Sequence, residues 1–306
     1  MKNRFKKIHI DSSVLSYKGS SGLKKLLIYF MLITFGYVFL YPLIYSVSMS
    51  FMPYEDTVNP VVNLLPLSPT IDNYRYAFGK MDYFPTLFKT AMIALTCAVA
   101  QTISCGIIGY GFGKYEFPLK KVFLGFIIAM FIIPPQITSI PMYLTLQKFG
   151  LINTPFGLII PALFGQGLKS TIFILIFYQI FEAMPKVLDE AAQVDGAGAI
   201  RRFIAISAPL AKPGVILTFL FSFIWYWNDA YLTTLYLGQK TTTLPNQLRF
   251  MVASLNSNDI AQTGVQLYEN IEMTGVVLSI LPLLIIYLIL QKQFTESIDK
   301  TGITGE

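Results

Sequence analysis

Apolar and polar residues alternate along the chain in long blocks rather than at helical or strand spacing. About six hydrophobic stretches approach the roughly 20 residues that a bilayer-crossing helix needs. They lie near 26–51, 86–112, 122–146, 156–181, 213–237 and 273–291. The pattern predicts an all-α polytopic membrane protein, and an even number of crossings puts both termini on one side. The densest polar interruption, 184–213, reads as two short helices. Pro185 suits a first turn, Asp189 and Glu190 follow early, Gly196 and Gly198 supply a corner, and Ala199 restarts a helix that Pro209 should end. Helices this short are marginal in water, so they call for packing against something else.

Two other connections are sizeable. The stretch 52–84 holds Pro53, Pro60, Pro66 and Pro69 with Glu55, Asp56, Asp72 and Asp82, and 73–78 reads as a short interfacial helix. The second, 238–270, is rich in Thr, Asn and Gln and reads as a polar loop.

Composition supports the membrane reading, with 54% hydrophobic and 13% charged residues in 306. The formal charge of +6 would suit an anionic partner such as nucleic acid, but the placement of the basic residues reads instead as topology. One side of the predicted bundle collects Lys2, Arg4, Lys6, Lys7, Lys18, Lys24 and Lys25, then Lys114, Lys120 and Lys121, then Lys186, Arg201, Arg202 and Lys212, then Lys292 and Lys300. The other side holds Arg75, Lys80, Lys148, Lys240 and Arg249. The excess places both termini and the 184–213 stretch in the cytoplasm. The N-terminal basic segment lacks a small-residue cleavage site and reads as a retained tail. Cys97 and Cys105 fall in one apolar run and His9 is the lone histidine, which argues against a disulfide framework or a metal cluster.

Within the spans, Gly109 and Gly113 form a small-xxx-small pair on a face that also holds Gly106, a signature of close helix packing. Pro134-Pro135 and Pro141 should break the third span twice, with Gln136 between them; a packed kink and the wall of a pathway are both open readings. Gly165-Gln166-Gly167-Leu168-Lys169-Ser170 lacks the Gly-Lys pair of a phosphate loop. Lys169 either snorkels to the outer surface or faces a cavity. Trp225, Tyr226, Trp227, Asn228 and Asp229 combine rings with polar groups, suited to a polyhydroxylated ligand or to a membrane interface. No Walker loop, catalytic triad or row of intramembrane carboxylates is present, so any power source lies in another chain.

Glu190-Ala191-Ala192, then Gly196, Ile206 and Pro209, resembles the EAA loop of binding-protein-dependent ABC importer permeases. The extended run to Asp195-Gly196-Ala197, with Phe203 and Pro213, is similar to the carbohydrate-uptake branch and its maltose-type G subunit. Further likenesses are Asn73-Tyr74, Ile133-Pro134-Pro135, Trp227-Asn228-Asp229 and Thr243-Leu244-Pro245. The resemblance implies the type I importer permease fold, a cell-membrane location and import of sugars, oligosaccharides foremost. It implies a homologous second permease (a heterodimeric pair), two cytoplasmic ABC ATPases that hold ATP and Mg, and an extracellular sugar-binding protein. This chain itself would hold no cofactor, no metal and no catalytic site.

On that reading the chain divides into a tail (1–23), a permease domain (24–293) and a second tail (294–306). The domain has external loops about 52–85 and 238–271 and a coupling loop about 182–212. Coupling falls to Glu190, Ala191, Ala192, Asp195, Gly196 and Phe203, with Arg201 and Arg202 either pairing with the ATPase or serving topology alone. Gln136, Lys169, Tyr226, Trp227, Asn228 and Asp229 are candidates for the substrate path. Competing readings are a permease for a non-sugar solute and, from another class, a secondary transporter.

Overall fold

The computed structural model describes residues 22–238, 241–263 and 268–300. Among them the fold is helical throughout, without strands. Helices α1 (Gly22–Ser50), α2 (Tyr54–Thr57), α3 (Asp72–Lys80) and α4 (Tyr83–Lys114) open the chain. A bent pair, α5 (Lys120–Ile132) and α6 (Pro135–Lys148), follows, then α7 (Phe156–Leu163), α8 (Ser170–Ala183), α9 (Lys186–Val194) and α10 (Ala199–Leu210). The chain closes with α11 (Lys212–Asn228), α12 (Tyr231–Leu237), α13 (Leu244–Thr263) and α14 (Glu269–Lys300). Three helices are long and apolar enough to cross a membrane alone, and the described residues give up to six crossings if each of three bent pairs counts as one.

Helix α4 is the axis of the bundle. At 32 residues it is about 48 Å long, and α8, α11 and α7 pack along it. The predicted glycine pair explains how close that packing is. A side chain at Gly113 would stand 2.7 Å from Phe181 Cβ and 3.1 Å from Glu182 N, and one at Gly109 would overlap Phe177 Cβ. The backbone of α4 therefore lies directly on α8, gaining dispersion contacts that lipid cannot supply. Gly111 faces open space and carries no such constraint. Gly109→Leu is expected to destabilise the α4–α8 contact by about 3 kcal/mol, seen as a lower thermal transition of the detergent-purified chain.

Three predicted spans differ in detail. The third bends by 105° where predicted, at Pro134-Pro135, but Pro141 lies inside an uninterrupted α6. The fifth breaks at Asp229 into α11 and α12. The fourth, expected to be continuous, is unwound across 164–169, where Gly165 (φ 70°) and Lys169 (φ 53°) are left-handed. Broken helices at membrane depth survive only if protein satisfies the freed backbone groups. Here α4 and α11 do so. Gln101 Nε2 donates to Leu168 O at 2.7 Å, Ser104 Oγ to Ala162 O at 2.6 Å, and Leu168 N donates to Tyr226 Oη at 3.0 Å. Tyr226 Oη in turn donates to Gln101 Oε1 at 2.8 Å, closing the network.

Of the two external connections, 52–84 contains the expected short helix as α3. Asn73 Nδ2 donates to the carbonyls of Ser50 (3.0 Å) and Met52 (2.8 Å), tying the loop to the end of α1, and Asn270 Nδ2 adds a bond to Met52 O at 3.0 Å. The stretch read as a polar loop, 238–270, is instead largely helix α13. Its Leu244, Leu248, Met251 and Leu255 recur at helical spacing and pack on the core. Residues 239–240 and 264–267, like the tails 1–21 and 301–306, lie outside the described residues.

Candidate functional site

The polar interruption folds as predicted, into a helical hairpin with a glycine corner. At the end of α9, Gly196 N donates to Gln193 O (3.0 Å) and Ala197 N to Ala192 O (2.9 Å). These two bonds, with Gly196 at φ 77°, form a Schellman motif. The left-handed corner explains why glycine stands there, since any Cβ would be strained although nothing lies within 4 Å of it. The second helix ends at Leu210, one residue past Pro209. A π turn over Phe203–Ser207 widens the preceding helix, and α10 runs on to Leu210 before the chain bends by 79° into α11. A wider turn relieves the clash and the missing donor that proline brings.

The hairpin has two faces. Inward, Ala192 is buried and Phe203 packs on Tyr110 of α4, ring centroids 4.9 Å apart, with Phe181 of α8 completing the cluster. Lys114 Nζ, at the end of α4, pairs with Asp189 Oδ2 at 2.7 Å and donates to Met184 O at 3.2 Å. Nearby, the hydrogen bond from Lys120 (2.9 Å), then the charges of Lys120, Lys186 and Lys121, hold the exposed Glu116 carboxyl below the usual carboxylate range. Outward, Glu190, Ala191, Asp195, Gly196 and Arg201 are exposed, as are Val187 (69%), Val194 (88%), Ile200 (76%) and Ile204 (62%). Arg202 is half-buried and reaches Gln193 Oε1 at 3.5 Å. Apolar side chains this exposed between charged ones, outside the span-length helices, have the make-up of a docking face.

The candidate path residues are not brought together as one surface. Tyr226 and Trp227 are buried, at 2% and 1% exposure. Tyr226 serves the network around the break, and Trp227 Nε1 donates to Ser279 O at 3.2 Å. Asn228 is exposed but donates to Ile224 O at 2.9 Å within its own helix. Asp229 caps α12, its Oδ2 accepting from Thr233 N at 2.7 Å. Gln136 and Lys169 are exposed, and Lys169 Nζ stands 4.6 Å over the ring of Trp225. A cation held on an indole face keeps a favourable contact without a carboxylate. Sequence reasoning missed Gln101 and Tyr226 as a unit; the signal was a buried amide in an apolar span, which must find a partner. Among the described residues no three His, Cys, Asp or Glu side chains group as a metal site.

Residues 105–300 match the family described as binding-protein-dependent transport system inner membrane component, about two thirds of the chain. The chain belongs to this family. A probable ABC transporter permease protein of Pyrococcus horikoshii is 32% identical over 205 residues, 66% of this chain and 73% of that one. The maltodextrin transport system permease protein MdxG of Bacillus subtilis is 28% identical over 287 residues, 92% of this chain and 97% of its own length. Among solved structures, a chain of a bacterial ABC transporter involved in import of the acidic polysaccharide alginate shares the fold. Its TM-score is 0.73 at 23% identity, over 90% of this chain and 98% of that one. The family match, residues 105–300, covers the hairpin and the spans on either side of it.

Proposed function

We propose that this chain is one permease subunit of an ATP-driven, binding-protein-dependent importer of oligosaccharides in the cell membrane. The observation that carries the reading is the hairpin: its inner face is fixed to α4 and α8, and its outer face presents Glu190, Ala191, Val194, Asp195 and Ile200 to a partner. A cytoplasmic ATPase that binds ATP and Mg is the partner a membrane component of this family requires, and it carries out the hydrolysis. A second, homologous permease completes the path. An external binding protein delivers the sugar.

The structure's placement of basic residues supports a cytoplasmic hairpin and cytoplasmic termini. Lys114, Lys120, Lys121 and Lys186 come together at the hairpin end, although they belong to two separate connections. We assign the exposed Lys169, Gln136 and Asn228 to the substrate path, with Tyr226, Trp227 and Asp229 supporting the backbone beside it. The tails 1–23 and 294–306 flank the permease domain 24–293.

Sugar as the substrate class rests on relatives named for maltodextrin, arabinooligosaccharides and diacetylchitobiose. Relatives named for sn-glycerol-3-phosphate favour a second reading, a small anionic solute. Calorimetric titration of the cognate binding protein separates them. Oligosaccharides binding at about micromolar Kd, with no heat from sn-glycerol-3-phosphate, is the expected result; the reverse selects the second reading.

A further inference from the structure

We infer that α4 is the rod that carries movement of the hairpin to the unwound segment 164–169, and that the Lys114–Asp189 ion pair is its joint. The inference rests on the proposed function, because it needs an ATPase to move the hairpin.

Three observations place the joint. The pair is shut away from solvent, with side-chain exposures of 8% for Lys114 and 17% for Asp189 and a separation of 2.7 Å. A short ion pair with so little water around it holds its geometry far better than a surface pair. Lys114 also donates to Met184 O, so one ammonium grips both the residue before Pro185 and a carboxylate in the first turn of α9. The other arm of the hairpin is held by the same helix, through the Tyr110–Phe203 ring contact one turn away on α4. Helix α4 therefore touches both arms.

The far end of the rod is equally well defined. Thirteen residues along α4 from Lys114, about 20 Å, Gln101 is fully buried and holds Leu168 O while accepting from Tyr226. The contact is tight, because a side chain on Gly167 would overlap Gln101 Oε1 and Tyr226 Oη. Between the two ends the backbone of α4 carries Gly109 and Gly113 pressed against α8, and no proline interrupts it there. An uninterrupted helix locked at both ends moves as one body. Movement of α9 thus displaces the carbonyl of Leu168 and, next to it, Lys169. Lys169 is exposed and its backbone is left-handed, so its orientation follows that of the segment.

The test uses the chain assembled with its partner subunits in membrane vesicles, with Cys97 and Cys105 replaced by alanine and Lys169→Cys as a reporter. The rate of its modification by a maleimide is compared without nucleotide and after trapping with ATP and vanadate. With Lys114 and Asp189 in place, trapping is expected to change the rate about tenfold; Lys114→Met and, independently, Asp189→Asn reduce that change to about twofold or less. The exchange Lys114→Asp with Asp189→Lys restores at least half of the change on a logarithmic scale, which a merely structural loss would not do. A full change surviving both single substitutions, or an exchange no better than either, overturns the inference alone. No change with the native pair in place, in vesicles that show ATP-driven uptake, overturns the inference; vesicles with no ATP-driven uptake overturn the proposed function.

Discussion

Gly196→Val is expected to cut ATP-driven uptake by about tenfold while the amount of chain in the membrane stays the same. Left-handed backbone costs an L-residue about 1–2 kcal/mol, more for a β-branched one, and 1.4 kcal/mol is a factor of ten. Gly196 sits at φ 77° and closes the two bonds that end α9. Within this chain nothing lies within 4 Å of a Cβ at the position, so the chain's own packing does not oppose the substitution. Gly196→Asn provides the contrast, because asparagine tolerates the left-handed region and should retain most uptake. Equal uptake by the valine variant and the native chain, at matched expression, would remove the corner from the coupling mechanism.

The second large effect lies at the unwound segment. Gly167→Ala forces a methyl group onto both Gln101 Oε1 and Tyr226 Oη, so the buried amide and phenol lose their mutual bond. Each buried polar group left unsatisfied costs about 1–3 kcal/mol, and overpacking adds to that. We expect a total loss of about 3–5 kcal/mol, visible as a collapse in the yield of detergent-stable chain. The same substitution at Gly111 on α4, where nothing stands within 4 Å, should be neutral or stabilise by up to about 1 kcal/mol. Similar losses at both positions would mean that the packing around Gln101 is not what limits stability.

The contrast between these glycines shows what the sequence made legible. Gly109 and Gly113 could be read from spacing, because small residues four apart share one helix face whatever the partner. Gly196 could be read from its place after a short amphipathic helix. Gly167 could not, since its constraint comes from Gln101 and Tyr226, distant in sequence. Hydropathy counted 156–181 as one span because unwinding leaves the composition unchanged. Helix α13 was hidden for the opposite reason. Its mean polarity resembles a loop, and only the recurrence of Leu244, Leu248, Met251 and Leu255 marks the face that packs inward.

Candidate site residues divide along the same line. The outer hairpin face was legible because its exposed residues belong to one short stretch. Phe203, expected with them, turns inward onto Tyr110, a role that depends on how α4 ends. Lys114 counted only as a positive charge until the fold set it beside Asp189. Tyr226 and Trp227 have the chemistry of a sugar platform, yet burial commits both to internal hydrogen bonds. Side-chain type announces what a residue can bind, and only packing decides what it does bind.

The central claim is that this chain moves its solute only as part of an ATP-driven assembly. Proteoliposomes holding the chain with its second permease and ATPase, loaded with ATP and given the binding protein and its calorimetrically identified sugar, measure this directly. Uptake is expected to need both ATP and the binding protein and to stop on vanadate addition. Uptake by liposomes containing this chain alone, without ATP, would contradict the central claim.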